Sequence, residues 1–236
     1  MQVFISNKEI YEIAEALVRT FSDGSPPQMV DIDEISARLC IPVMYEAFAE
    51  DEQDKVGYLS DGIKPLKVWK NKRKTDIIFP KNTIVLDQFL LCSEEETRRR
   101  FVLAHEISHK IINSADPTRN SACYDRIYDS ERNYSFAELQ DRLSFEEAQA
   151  NALAAAILMP KFMVGAALAK FHGGKSIPVY GDAVFLPKTK TVLLKISGML
   201  GVSHTALLIQ LRKYGLLEAH DMTEYIEKNL IVGGCR

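Results

Sequence analysis

Apolar residues recur at spacings of three and four from Ile10 through Ile13, Ala14, Leu17 and Val18 to Phe21. That rhythm predicts an amphipathic helix over about 8–21 with one stripe turned to a core. The tract DGSPPQ (residues 23–28) ends it, and Asp31 followed by Glu34 is an N-terminal capping pattern for a short helix through Leu39. From Ile41 to Asp87 the rhythm shortens to the runs IPVMYEAF, VGYLS, LKVWK, TDIIFP and TIVLD, separated by turn residues. These predict three to five mostly antiparallel strands. Ser93 with Glu96 reads as a capping box opening a long helix, SEEETRRRFVLAHEISHKII. Between Phe101 and Ile112 that helix is apolar almost all round, so it belongs at the centre of the fold.

Residues 113–143 are polar and Tyr-rich and read as a long excursion. Helical character returns over Phe145–Met159, breaks at Pro160, and resumes in KFMVGAALAKF before Gly173 and Gly174. A second excursion, KSIPVYGDAVFLPKTKT, precedes LLKISGMLGVS and HTALLIQLRKYGLL, two short helices joined at Gly201 in a helix-turn-helix outline. The chain therefore divides into a domain over 1–191, enlarged by excursions at about 113–143 and 173–191, and a C-terminal helical module over 192–236.

Charge alters this picture little. Lys plus Arg number 29 against 32 Asp plus Glu, a net charge of −3 that gives no general attraction to nucleic acid or anionic membrane. The local exception is Lys64, Lys67, Lys70, Lys72, Arg73 and Lys74 around Trp69, which read as a solvated hairpin. Lys195, Arg212 and Lys213 lie on the C-terminal helices, but Leu207, Leu208, Leu211 and Leu216 are core-forming there, so direct nucleic-acid binding is not expected. Cys40, Cys92, Cys123 and Cys235 are far apart and form no C-x-x-C pair, which excludes a thiolate zinc knuckle or a disulfide framework. With no signal-peptide pattern at the N-terminus and no run of ~18 apolar residues, a cytoplasmic protein without membrane partners is expected.

The chemistry is carried by two of the 5 histidines. His105-Glu106-Ile107-Ser108-His109 is H-E-x-x-H on a predicted helix. Residues four apart share a helix face, so both imidazoles can address one Zn2+ while Glu106, about 100° round the helix, stands beside it. That is the place for a general base acting on water, and amide hydrolysis is the natural reaction. A catalytic zinc needs a third protein ligand, with His172, His204, His220 and the acids of 129–147 as candidates. Glu147 stands out because Asn151 follows one turn later, where it can support a ligating histidine from the outer shell. Glu146 remains open as an alternative, since Ser144 and Glu147 also match a capping box.

The segment RRRFVLAHEISHKII together with EAQANALAAAILMP resembles the ImmA/IrrE family of zinc metallopeptidases. The likeness extends over residues 1 to about 217, with Leu153 standing where an aromatic residue is usual. The resemblance implies His105, His109 and Glu147 as zinc ligands and Glu106 as the base. It implies an α+β zincin-like metallopeptidase domain with a small antiparallel sheet and a C-terminal helix-turn-helix-like helical module. It also implies a protein substrate, a helix-turn-helix transcriptional repressor of a mobile element or stress regulon. The strand TIVLD beside the central helix is expected to supply the edge that binds an extended peptide. Tyr124, Tyr128, His172 and Tyr180 are candidate donors to the developing oxyanion. The rival reading is a catalytically silent metal-binding regulator that binds a repressor or DNA, in which Glu106 would have no purpose.

Overall fold

The computed structural model describes residues 5–21, 25–49, 55–115 and 145–229. Five short strands match the five predicted runs: β1 (Val43–Glu46), β2 (Gly57–Leu59), β3 (Leu66–Lys70) and β5 (Ile84–Asp87) fall inside theirs, and β4 (Arg73–Ile77) starts two residues ahead of TDIIFP and ends inside it. They form two layers, a three-stranded sheet ordered β1-β5-β2 and a separate hairpin of β3 and β4. The sheet is mixed, which corrects the antiparallel expectation: β1 runs parallel to β5, and β2 runs antiparallel to it. A parallel pair needs a long crossover, and here β2 and the hairpin occupy the connection from β1 to β5. The hairpin closes through Asn71 and Lys72, both at positive φ (52° and 63°), the backbone of a two-residue turn matched to strand twist. Its inner residues Leu66 and Val68 bury with Tyr58, Phe79 and Val85 into a small core under the sheet. The basic residues of the ribbon stay exposed, as a solvated hairpin requires.

On the other face of the sheet lies the main core. Helix α1 (Asn7–Phe21) buries Ile10, Ala14 and Val18, and α2 (Ile32–Arg38) is capped by the Asp31 carboxylate, which accepts the Glu34 backbone N–H. The central helix α3 (Glu96–Ala115) begins three residues later than the sequence suggests. Residues Ser93–Glu95 form a 3-10 turn instead, and the Glu96 carboxylate accepts bonds from the Arg99 guanidinium rather than closing a capping box. From Arg100 to His109 every residue of α3 is buried. It packs against β2, β5 and the helix α4 (Phe145–Leu158), which packs in turn on α1. The Gln149 side chain pins the start of α1 by donating to the Ile5 carbonyl at 2.9 Å.

After Pro160 the chain forms α5 (Lys161–His172), ended by Gly173 in the left-handed region at φ 63°. The second predicted excursion is more ordered than its polarity suggests. It contains β6 (Ile177–Tyr180) and the first turn of α6 (Pro187–Leu200), whose start at a proline suits a helix N-terminus. Helix α7 (His204–Lys213) follows α6 across Gly201 at a bend of 98°. The predicted last helix stops earlier than expected, because residues 217–220 form β7 (Leu217–His220), parallel to β6, before α8 (Met222–Asn229). Leu193, Ile196, Leu200, Leu207 and Leu211 are fully enclosed, so α6 and α7 spend their apolar faces on the main core. Among the described residues no single helix is long and apolar enough to cross a membrane. Most of the first excursion, residues 116–144, lies outside the described residues.

Candidate metal centre

The buried stretch of α3 carries a conflict. The stretch of helix whose Val102, Leu103, Ala104 and Ile107 are all buried also holds His105, Glu106 and His109, each no more than 3% exposed. Polar groups enclosed this way are costly unless they have partners, and α4 supplies one. Glu147, in its first turn and itself 5% exposed, places Oε2 3.2 Å from His105 Nε2 and Oε1 3.4 Å from His109 Nε2. The two Nε2 atoms face each other at 2.9 Å, with the rings nearly perpendicular at 84°. His105, His109 and Glu147 form the one group of three or more metal-ligating side chains among the described residues, with ligand atoms all within 4.8 Å. A tetrahedral zinc with bonds of ~2.0–2.1 Å holds its ligand atoms roughly 3.3 Å apart. The donor set therefore fits a metal by chemistry and by spacing.

Electrostatics bind the group together. Burial alone would push Glu147 up, but the His105 and His109 side chains hold its carboxyl down at about 2. Burial likewise disfavours protonated His105, and the nearby Glu147 and Glu106 more than offset it, so its pKa is raised. Asn151, one turn after Glu147, also favours protonated His105. The His105 Nδ1 and both polar atoms of the Asn151 carboxamide are buried without a closed hydrogen bond.

Glu106 stands apart from the other three. Burial raises its pKa to about 7, against smaller opposing effects from His105, Lys55 and the Leu59 backbone amide. Its neighbour is the sheet edge: β2 passes so close that a Cβ on Gly57 would lie 2.7 Å from Glu106 Oε1 and 2.6 Å from Val102 Cγ1. The strand's pairing fixes which way its amides point. Asp87 donates to the Val56 carbonyl and Ser60 donates to the Thr83 carbonyl, so residues 56, 58 and 60 face β5. By alternation, the backbone groups of Gly57 and Leu59 turn outward.

Among the residues singled out in the sequence, the structure brings His105, His109, Glu147 and Asn151 together and sets Glu106 beside them. The Glu146 side chain lies outside the described residues, as do Tyr124 and Tyr128. His172 ends α5, and Tyr180 is buried against His220 and Tyr225. Neither belongs to the His-His-Glu group. The expected peptide edge is corrected. TIVLD forms β5, the middle strand with both sides paired, and the outer strand next to Glu106 is β2, whose three residues are all buried. Gly57, Leu59 and Lys55 escaped the sequence reading because nothing local ties VGYLS to a helix some 50 residues away. The glycine inside an otherwise apolar strand was the available signal. Arg100 escaped as well. It is buried, donating from Nη2 to the Val30 carbonyl at 2.7 Å and from Nε to the Gly201 carbonyl at 3.1 Å, and so ties α3 to the α6–α7 turn.

A model of the Peptidase_M78 family, described as the IrrE N-terminal-like domain, matches residues 38–177. That span covers more than half of the 236 residues and includes both histidines, Glu106, Glu147 and the β2 edge. The chain belongs to this metallopeptidase family. No curated protein matches the chain.

Proposed function

We propose that this member of the IrrE N-terminal-like peptidase family is a zinc-dependent endopeptidase of zincin-like architecture. The observation that carries the reading is the buried convergence of His105, His109 and Glu147 with a fourth polar group, Glu106, beside them and not among them. A site that only held a metal for stability would have no use for that extra buried carboxyl, whose pKa of about 7 suits proton exchange near neutrality. His105, His109 and Glu147 would hold the ion and Asn151 would orient His105. When bound, zinc supplies Lewis acidity toward a carbonyl oxygen and toward water.

The remaining work falls to the chain's own residues. Glu106 takes a proton from the attacking water and passes it to the departing amine nitrogen. The outward backbone groups of β2 that the Glu106 carboxylate does not already engage would pair with an extended substrate, held beside β2 and next to Glu106. The modest net charge of −3 suits recognition of another protein in the cytoplasm. By the family resemblance, the substrate is a helix-turn-helix transcriptional repressor. The C-terminal helices, their apolar faces already buried, serve as support for the site and not as a reader of DNA.

Incubation of the zinc-loaded protein with helix-turn-helix repressors and with unrelated peptides, read by mass spectrometry, tests this. The wild type is expected to cut one peptide bond, and Glu106→Gln to slow the cut by ~10²–10⁴-fold. Equal rates for the two proteins would sink the peptidase reading. Cleavage of other peptides but not of the repressors would sink only the substrate assignment.

A further inference from the structure

Glycine weakens a strand interior, and where it persists the usual reason is a backbone angle no other residue tolerates. Gly57 has no such reason, since it is absent from the glycines at positive φ. What it has is lack of space. A Cβ there would meet Glu106 Oε1 at 2.7 Å, Glu106 Cδ at 3.3 Å and Val102 Cγ1 at 2.6 Å. Contacts under 3.0 Å force movement, and the two partners differ in their freedom to move. Both are enclosed, Val102 at 1% and Glu106 at 3% exposure, but the branched Val102 has a stiff side chain while Glu106 ends in a rotatable carboxyl. A side chain at 57 would therefore turn the Glu106 carboxyl out of its place and, because Val102 does not yield, also push β2 away from α3.

Resting on the peptidase reading above, we propose that Gly57 is a positioning residue. Its missing side chain lets the substrate-binding edge of β2 close against α3 and fixes the Glu106 carboxylate between the peptide edge and the ligand set. Residue 57 takes no part in bond making. It acts through Glu106, with the Leu59 amide steadying the same carboxylate from the adjacent outward position.

Two measurements on Gly57→Ala test this. In peptide hydrolysis by the zinc-loaded protein, kcat is expected to fall by at least tenfold and up to about 10²-fold, as a misplacement of ~1 Å can cause. KM and the bound zinc should change by less than twofold. In the second measurement, thermal unfolding of the protein with chelator is followed for Gly57→Ala, Glu106→Ala and the double variant. Removing the Glu106 side chain should recover at least a third of the melting-temperature loss caused by the alanine at 57. An unchanged kcat, or a loss in KM or zinc with kcat intact, would overturn the positioning role. Strictly additive melting shifts would overturn the contact itself. If the wild type hydrolyses nothing, the peptidase reading fails, yet the melting cycle still reports whether residue 57 acts on Glu106.

Discussion

Replacing Glu106 by glutamine keeps the side-chain shape and removes its titration, and the structure predicts that this strengthens the fold while slowing hydrolysis by orders of magnitude. The folded carboxyl has a pKa raised by burial to about 7, against an ordinary value of 4.5. Between those two values the folded chain keeps a proton that the unfolded chain has released. Wild-type stability must therefore fall as pH rises through that window, at up to about 1.4 kcal/mol per pH unit. Over the full window the loss reaches about 3 kcal/mol, complete by roughly pH 8. Chemical denaturation of both proteins with chelator present, at several pH values from 4.5 to 8, measures it. Near pH 4.5 the two should be equally stable, and by pH 8 Glu106→Gln should be the more stable by about 3 kcal/mol. A difference that does not vary with pH would refute the reasoning, as would a variant less stable than wild type at pH 8. A gain in stability paired with lost activity is the expected mark of a carboxylate retained for its chemistry.

Three further outcomes follow from particular contacts. Asn151→Ala should weaken zinc binding by ~10–100-fold in a competition titration, because His105 loses a buried supporting side chain. Ile107→Ala, in a fully enclosed position between the two histidines, should lower unfolding free energy by ~2–5 kcal/mol, measured by urea denaturation. Arg100→Leu should cost roughly 3 kcal/mol, seen as a lower melting temperature, because it strands the Val30 and Gly201 carbonyls that the guanidinium satisfies.

The pattern of success and failure in reading the sequence has physical causes. The histidine pair was legible because its geometry is local: two residues four apart on one helix share a face whatever the rest of the chain does. The five strands were legible from their β-rich runs, and so was the antiparallel hairpin of β3 and β4, but the partner of β1 was not. That β1 pairs parallel with β5, across some 40 intervening residues, is set by tertiary closure and leaves no mark on either run. The same blindness put the expected peptide edge on β5, the middle strand, where the sheet has no edge. Glu147 was legible to within one residue from its spacing to Asn151, and family resemblance narrowed the choice. Its facing of both imidazoles depends on how α4 lies across α3. The strand β6 hid inside a stretch broken by Pro178 and Gly181, and β7 in a tail that continued a helical rhythm.

Zinc stoichiometry and affinity, measured by equilibrium dialysis for wild type, Glu147→Ala and Glu146→Ala, test the central claim most directly. One tightly held zinc in wild type and in Glu146→Ala, and none in Glu147→Ala, is the predicted result. A wild-type protein that retains no metal after loading, or a Glu147→Ala variant that retains it as tightly as wild type, would contradict the account.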